Sequence, residues 1–233
     1  MERIALVTGA STGIGEASAR ALAADGWKVI CAARSTEAIE KIAQEIGGEA
    51  ITLDVTDQES VDKLAEKIPH LDLLVNNAGG AKGLDPIKDA ILEDWQWMYE
   101  VNVLGLVRLT KALLPKLIAA DGLIINMSSI AGHEPYAGGA GYNAAKHAVA
   151  ALTRVLRIET HEQPLRVTEL CPGRVKTDFS LKRFKGDAAK AEAVYADKLN
   201  LTAEDVAETV RWVASLPTHV NIERLTLKPR DQV

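Results

Sequence analysis

The chain has 233 residues, of which 47% are hydrophobic, and its formal net charge is −5. This length and composition describe a globular protein with a sizeable core, and the acidic balance gives no reason to expect a nucleic acid or an anionic membrane as partner. No cleavable signal is recognised at Met1-Glu-Arg-Ile4, and the two cysteines, Cys31 and Cys171, are far apart in apolar surroundings. We therefore expect a cytoplasmic protein without a metal site.

Short apolar runs alternate with amphipathic stretches, a rhythm that is typical of parallel βαβ units. Strands are predicted at residues 4–7, 28–32, 50–53, 71–75, 123–127, 166–170 and 224–227. Helices are predicted at residues 14–24, 37–46, 58–68, 92–119, 141–162 and 203–215. This order predicts a single α/β domain over residues 1–233, a doubly wound Rossmann fold whose seven-stranded parallel sheet has helices on both faces.

Two places depart from this rhythm. Pro115 falls inside the fourth helical pattern, where we expect it to kink or end the helix. The only long irregular stretch that we expect spans about residues 171–201. Because a connection of this length in a compact domain is usually functional, we predict that residues 171–201, called the lid below, cover a substrate site.

Glycines follow the first strand in the segment Thr8-Gly-Ala-Ser-Thr-Gly13-Ile-Gly15. Gly9 permits a sharp turn, Gly13 lets the backbone approach a pyrophosphate, and Gly15 allows the next helix to pack closely on the strand. The alternative is a simple tight turn, since the spacing is not the dinucleotide fingerprint Gly-x-Gly-x-x-Gly. The position after an N-terminal strand favours phosphate binding.

Tyr142 precedes Lys146 by one helical turn, and Ser129 stands thirteen residues before the tyrosine. A phenol has an ordinary pKa of about 10, and an adjacent ammonium group favours its ionised form. The pair therefore predicts a tyrosine that serves as general acid and base. The alternative is an ordinary solvated helix face, on which a Tyr and a Lys meet without function.

These motifs, in this order, together with Asn76-Asn-Ala-Gly79, Asn102 and Pro172-Gly173, resemble the short-chain dehydrogenase/reductase family over essentially the whole chain. The resemblance implies that Tyr142 exchanges a proton with the substrate while Ser129, rather than Ser128, holds the substrate oxygen. It implies that Lys146 binds the nicotinamide ribose, and that the backbone at Asn102 holds a water in a relay to Lys146. It extends the nucleotide site to Ser11, Thr12, Ile14, Val55, Asn77, Ala78, Gly79, Val175 and Thr177.

The end of the second predicted strand bears on the choice of cofactor. Ala33 stands where an acidic residue would bind the adenosine ribose hydroxyls of NAD, and Arg34 follows it. A guanidinium group suits a 2′-phosphate, so we expect NADP rather than NAD, although Arg34 is alternatively a solvated loop charge. Asp54 matches the adenine contact of the family, and a helix N-cap is the alternative reading.

Three segments, residues 135–139, 179–187 and 216–222, resemble a narrower group, the bacterial NADP-dependent 3-hydroxy acid dehydrogenases that act on serine or allo-threonine. A carboxylate substrate needs a cation, and of Lys176, Lys182, Arg183 and Lys185 we choose Arg183 for its bidentate geometry. A solvated lid charge is the alternative.

Two other functions stay open. One is a short-chain reductase of another small ketone, a diketone or a steroid-like alcohol. The other is a non-catalytic NADP-binding sensor. The family resemblance also implies a homodimer or homotetramer.

Overall fold

The computed structural model describes residues 2–233. Met1, which the predicted domain and the predicted N-terminal segment both include, lies outside the described residues. Its seven strands form one parallel sheet in the order β3-β2-β1-β4-β5-β6-β7. The strands are β1 Ile4–Thr8, β2 Lys28–Ala33, β3 Glu49–Thr52, β4 Leu73–Asn76, β5 Leu123–Met127, β6 Arg166–Pro172 and β7 Arg224–Leu227. The predicted doubly wound fold is confirmed.

Helices occupy the connections between the strands and cover both faces of the sheet. They are α1 Gly13–Ala24, α2 Thr36–Ile46, α3 Gln58–Lys67, α4 Leu92–Tyr99, α5 Gly105–Ala119, α6 Ala140–Glu159, α7 Phe179–Arg183, α8 Ala188–Ala193 and α9 Ala203–Ser215. A π-helical segment, Glu100–Leu104, joins α4 to α5, and short 3₁₀ turns occur at Ile87–Asp89 and Ile130–Gly132.

The first strand shows how the sequence divides the core between the two faces of the sheet. Ala5 and Val7 belong to the cluster that contains Leu22 of α1 and Val210 of α9, whereas Leu6 belongs to the cluster that also contains α3 and α5 residues. Because successive strand side chains point to opposite faces, the buried run at residues 5–8 suits a sheet that is covered on both sides.

The position of the cavity follows from the strand order. The chain runs outward from β1 through β2 to β3 and then crosses to β4 on the other side of β1. This reversal creates a crevice beyond the carboxyl ends of β1 and β4, the usual ligand position in doubly wound sheets.

Of the two effects expected of Pro115, the end of the helix is wrong, because α5 continues through Pro115 to Ala119. A kink at Pro115 stays a prediction. Pro115 lies on the exposed face, while Leu113 and Leu117 on either side of it are fully buried. The carbonyl that loses its helical donor, that of the exposed Lys111, can therefore be hydrated. The predicted helix 92–119 is interrupted instead at the π-helical segment.

The expectation of an irregular lid is also wrong, because residues 171–201 contain the end of β6 and the short helices α7 and α8. Within residues 2–233 the longest stretch that lacks both α-helix and strand is residues 77–91, which we name the β4 loop. The two segments are joined by a backbone hydrogen bond of 3.0 Å from the Gly83 amide to the Arg183 carbonyl. Within residues 2–233 no helix combines the length and the apolar character that a membrane span needs.

Candidate active site

A cavity of about 1170 Å³ opens at the carboxyl ends of the central strands. Its lining combines the loop before α1, the ends of β2 and β3, the β4 loop, the start of α6 and the lid. Of the residues predicted from the sequence, those that line it are Gly9, Ser11, Thr12, Gly13, Ile14, Arg34, Asp54, Val55, Asn77, Ala78, Gly79, Ser129, Tyr142, Lys146, Pro172, Gly173, Val175, Thr177 and Arg183. Gly15 and Asn102 do not line it and lie behind it.

Gly9 and Gly13 of the first loop form part of the cavity wall. Gly9 and Gly13 have φ of +64° and +57°, which a side chain would strain, and a Cβ on Gly15 would collide with the carbonyl oxygen of Gly9. Thr12, the N-cap of α1, makes no side-chain capping bond. The amides of the first turn of α1 therefore face the cavity without a helical partner, a donor set that fits the pyrophosphate of a dinucleotide.

The β4 loop is tied to the glycine loop through Thr8 and Asn77. The Thr8 hydroxyl accepts from the amides of Asn77 and Ala78 at 2.9 Å each, and the Asn77 side chain donates to the Thr8 carbonyl at 2.9 Å. Deeper in the sheet, Asn76 donates to Asn126 of β5 at 2.9 Å. These bonds fix the distance between the two cavity walls. A simple tight turn after β1, the alternative from the sequence, would not need them.

The far end of the cavity contains Arg34 and Asp54. Asp54 Oδ1 accepts from the amide and the hydroxyl of Thr56 at 2.9 and 2.7 Å. Burial opposes ionisation of this carboxyl, but the Thr56 hydrogen bonds and the charge of Arg34 outweigh it and lower the Asp54 pKa. The alternative of a helix N-cap at Asp54 is wrong, because Asp57 caps α3 by accepting from the Glu59 amide.

Ser129, Tyr142 and Lys146 meet at the centre of the cavity. Tyr142 and Lys146 lie on the first turns of α6, both buried, and Ser129 precedes the 3₁₀ turn after β5. Ser129 Oγ donates to the Pro172 carbonyl at 3.4 Å and accepts from the Ala131 amide at 3.2 Å. Lys146 Nζ donates to the Met127 carbonyl at 2.9 Å and lies 5.7 Å from the centroid of the Tyr142 ring.

The prediction that Lys146 makes the Tyr142 phenol acidic is wrong for the protein chain itself. Burial raises the pKa of Tyr142 above its ordinary value, and the opposing influences are the Ser129 hydrogen bond and the charge of Arg183. Burial likewise lowers the pKa of Lys146 to about 8. Desolvation is the largest influence on both pKa values because both groups are enclosed. The raised pKa keeps the Tyr142 phenol protonated at neutral pH.

Asn102 lies in the π-helical segment and binds the β4 loop through its side chain. Its Nδ2 donates to the carbonyls of Gly80 and Met98 at 2.9 and 2.7 Å, and its Oδ1 accepts from the Gly80 amide at 3.2 Å. The side-chain amide of Asn102 therefore holds the β4 loop in place. A water relay that starts at the Asn102 backbone stays a prediction.

Arg183 projects from α7 into the cavity beside the tyrosine. Its Nε donates to the Gly83 carbonyl at 2.8 Å and its Nη1 to the Tyr136 hydroxyl at 2.9 Å. Within residues 2–233 the buried Nη2 has no hydrogen-bond partner. The guanidinium carbon lies 5.8 Å from the Tyr142 ring centroid. Arg183 is therefore not the solvated lid charge of the alternative interpretation.

Tyr136 and Gln232 are two of the cavity-lining residues that sequence reasoning missed. Tyr136, which binds Arg183, entered the sequence analysis only as part of the segment 135–139. No pattern in the sequence marked it separately as a residue of the cavity lining. Gln232 accepts from the Arg174 amide at 2.7 Å through Oε1, and it reaches the cavity from the end of the chain. Such long-range contacts leave no local pattern in the sequence.

His133, Glu169 and Cys171 come together although their spacing suggested no cluster. Their ligand-type atoms lie within 4.8 Å of one another, and His133 Nε2 is 2.9 Å from Glu169 Oε1. Because Arg224 can only donate, its contact of 3.2 Å with His133 Nδ1 assigns the hydrogen to Nε2, which donates to Glu169. Burial and Glu169 raise the pKa of the Cys171 thiol to about 12, so that it remains protonated. The group is a partly buried polar cluster, in which His133 is exposed while Glu169 and the core residue Cys171 are buried.

The fold and the cavity define an α/β protein of the dinucleotide-binding class. The sequence pattern of the family described as short chain dehydrogenase matches residues 3–188. The chain belongs to this family, as the sequence predicted.

Three relatives illustrate its neighbourhood. An uncharacterised oxidoreductase of Mycobacterium tuberculosis is 55% identical, with 99% of this chain and 92% of the relative covered. The NADP-dependent 3-hydroxy acid dehydrogenase YdfG of Escherichia coli is 42% identical, with 98% and 96% covered. The solved closed form of a serine dehydrogenase complexed with NADP⁺ superposes with a TM-score of 0.96 at 42% identity, with 99% and 96% covered.

Proposed function

We propose that this protein is an NADP-dependent oxidoreductase that transfers a hydride between the nicotinamide and a short 3-hydroxy acid or its oxo or semialdehyde counterpart. One observation carries the substrate class. A buried guanidinium nitrogen of Arg183 without a hydrogen-bond partner lies beside Tyr142, the proposed proton donor.

The choice of NADP rests on the adenosine end of the cavity and on the relatives. Arg34 lines that end, and the preceding Ala33 offers no carboxylate to repel a 2′-phosphate. Relatives at 42% identity are named for NADP or were solved with it. When bound, the nicotinamide supplies or accepts the hydride.

The protein would contribute proton transfer and placement. Ser129 and Tyr142 would hold the substrate oxygen between their hydroxyl groups. Tyr142 would donate its proton to that oxygen in the reductive direction, for which its raised pKa suits it because the phenol stays protonated at neutral pH. Lys146 would bind the nicotinamide ribose. Asn102 would keep the β4 loop in position.

Arg183 would fix the acid end of the substrate. A carboxylate at Nη2 satisfies a buried donor and gains a charge-assisted bond, whereas a neutral ketone or steroid-like alcohol leaves that donor unpaired. Since Nε and one Nη1 hydrogen are already engaged, the contact would use the Nη1–Nη2 edge or Nη2 alone. This cost of an unpaired donor favours the acid over the neutral alternatives.

The test follows the absorbance of NADPH and NADH, which are consumed with malonic semialdehyde and a panel of neutral ketones and formed from NADP⁺ and NAD⁺ with serine and allo-threonine. We expect turnover with the acids and with NADP forms. Faster turnover of the neutral panel would reject the substrate class. Binding without turnover of any compound would favour the non-catalytic sensor, although such a protein would not need the group formed by Ser129, Tyr142 and Lys146.

Self-association and location belong to the same proposal. Leu104 and Val107 are exposed on successive turns near the start of α5, and Val155 and Ile158 are exposed one turn apart on α6. Exposed apolar stripes of this kind mark contacts between subunits, in line with a homodimer or homotetramer. Light scattering of the purified protein measures the mass. The unpaired Cys31 and Cys171 suit a cytoplasmic location.

A further inference from the structure

Lys182 is a lid cation that points toward the glycine loop. Its Nζ lies 3.2 Å from Thr12 Oγ1, across 170 residues of sequence. Three other lid lysines have carboxylate partners: Lys176 with Glu192, Lys185 with Asp94 and Lys190 with Asp187. Within residues 2–233 Lys182 has no such partner, so its charge is not balanced by the protein.

The hydroxyl that Lys182 contacts stands at the N-terminus of α1. Thr12 has extended backbone, with φ of −159°, and its hydroxyl is not used to cap the helix. Lys182 thus places a full positive charge beside the partial charge of the helix terminus and the uncapped amides of its first turn. Two sources of positive potential converge on the part of the cavity where the dinucleotide phosphates of the proposed function would lie.

We infer that Lys182 is a cofactor-binding residue that the lid supplies to the glycine loop, and that it binds a phosphate group of the dinucleotide. This inference rests on the proposed function, since it takes the cavity to hold NADP. A neutral hydroxyl is a weak partner for an ammonium group, and a phosphate oxygen at the same place forms a stronger, charge-assisted bond. Nζ needs only to turn from Thr12 to the phosphate.

The position of Lys182 couples the cofactor to the substrate end of the cavity. Lys182 contacts the glycine loop, and the next residue, Arg183, contacts Gly83 and Tyr136 on the opposite wall. Both side chains belong to the five-residue helix α7. A phosphate that holds Lys182 therefore also stabilises the position of Arg183, and by linkage an acid bound at Arg183 tightens the cofactor by the same factor.

The experiment compares Lys182→Met with Lys190→Met, a lid variant that loses the same charge from a residue outside the cavity lining. Fluorescence titration measures Kd for NADPH and for NADH without turnover. We expect Lys182→Met to weaken NADPH binding about tenfold and to flatten the salt dependence of the Kd for NADPH. We also expect it to weaken binding of the acid substrate to the complex of enzyme and NADPH. Lys190→Met should match the wild type.

The two nucleotides identify the phosphate. Equal weakening of NADPH and NADH assigns Lys182 to the pyrophosphate, and weakening of NADPH alone assigns it to the 2′-phosphate. Adding Thr12→Lys to Lys182→Met returns a positive charge to the same place from the loop side, and we expect it to recover most of the lost affinity.

Two results would overturn the inference, and they differ from failure of the proposed function. Unchanged Kd values in Lys182→Met, with normal binding in the wild type, reject the role of Lys182 and leave the proposed function standing. Equal losses in Lys182→Met and Lys190→Met reject it as well, because they indicate a general effect of charge. Absence of nucleotide binding in the wild type rejects both.

Discussion

The guanidinium carbon of Arg183 lies 5.8 Å from the centroid of the Tyr142 ring, and its charge lowers a phenol pKa that burial raises. One lid residue thus faces both the proposed proton donor and the space beside it. Since Lys146 is itself buried, with its pKa lowered to about 8, the cation with the clearer influence on the phenol is the one on the lid. Lid position and acid strength are therefore linked.

Arg183→Met should weaken binding of acid substrates without affecting binding of neutral ones. We expect KM for 3-hydroxy acids and their oxo forms to rise about ten- to a hundredfold, because the carboxylate loses a charge-assisted partner in a buried site. KM for small neutral ketones should change little. Steady-state kinetics on both substrate types measures the difference, and equal losses on both would show that Arg183 acts only through lid structure.

Tyr142→Phe should abolish proton transfer while it preserves packing. The ring lies 5.5 Å from that of Phe179, tilted by 60°, and a phenylalanine keeps this contact. We expect kcat to fall by a factor of about 10² to 10⁴ in the reductive direction, whereas Kd for NADPH stays within about threefold. Rapid kinetics together with fluorescence titration measures the two quantities. A kcat near that of the wild type would assign the proton to another group.

The sequence predicted the sheet because each of its strands is a short apolar run with its own local signal. The turns at Gly9 and Gly13 were also predictable from the sequence, because glycine is the residue that a turn with positive φ needs. The raised pKa of Tyr142 was not predictable from the sequence. The spacing places Lys146 nearby, but it does not reveal that burial is the largest influence on the phenol. The pairs Lys182–Thr12 and Arg183–Tyr136 join distant parts of the chain and required coordinates.

Arg34→Ala should change the preference between the two nucleotides. We expect NADPH to bind about tenfold more weakly, because a 2′-phosphate loses its guanidinium partner, and NADH to bind nearly as before. Ala33→Asp gives the matched opposite change, since a carboxylate there would repel the 2′-phosphate and accept from the ribose hydroxyls of NADH. Titrations of both nucleotides measure the ratio of the two Kd values. Parallel losses in Arg34→Ala would mean that the arginine supports the loop rather than the phosphate.

The buried charge of Lys146 should appear in the pH dependence of stability. Its pKa is lowered from 10.5 to about 8 in the folded protein, so between these values the unfolded chain binds more protons than the folded one. The stability of the wild type should therefore rise with pH across this window, by up to about 1.4 kcal/mol per pH unit from this group. Below pH 8 the group is charged in both states and its unfavourable burial is fully present.

The measurement is urea unfolding of the wild type and of Lys146→Met at several pH values from 7 to 10. Subtracting the variant removes the contributions of other groups that titrate in the same window. We expect the stability of the wild type relative to Lys146→Met to increase steadily above pH 8. A difference that stays flat would show that Lys146 keeps its ordinary pKa, through solvent access or an unrecognised counter-charge. In that case the ammonium would be fully charged at alkaline pH and could lower the pKa of Tyr142, as the sequence alone suggested.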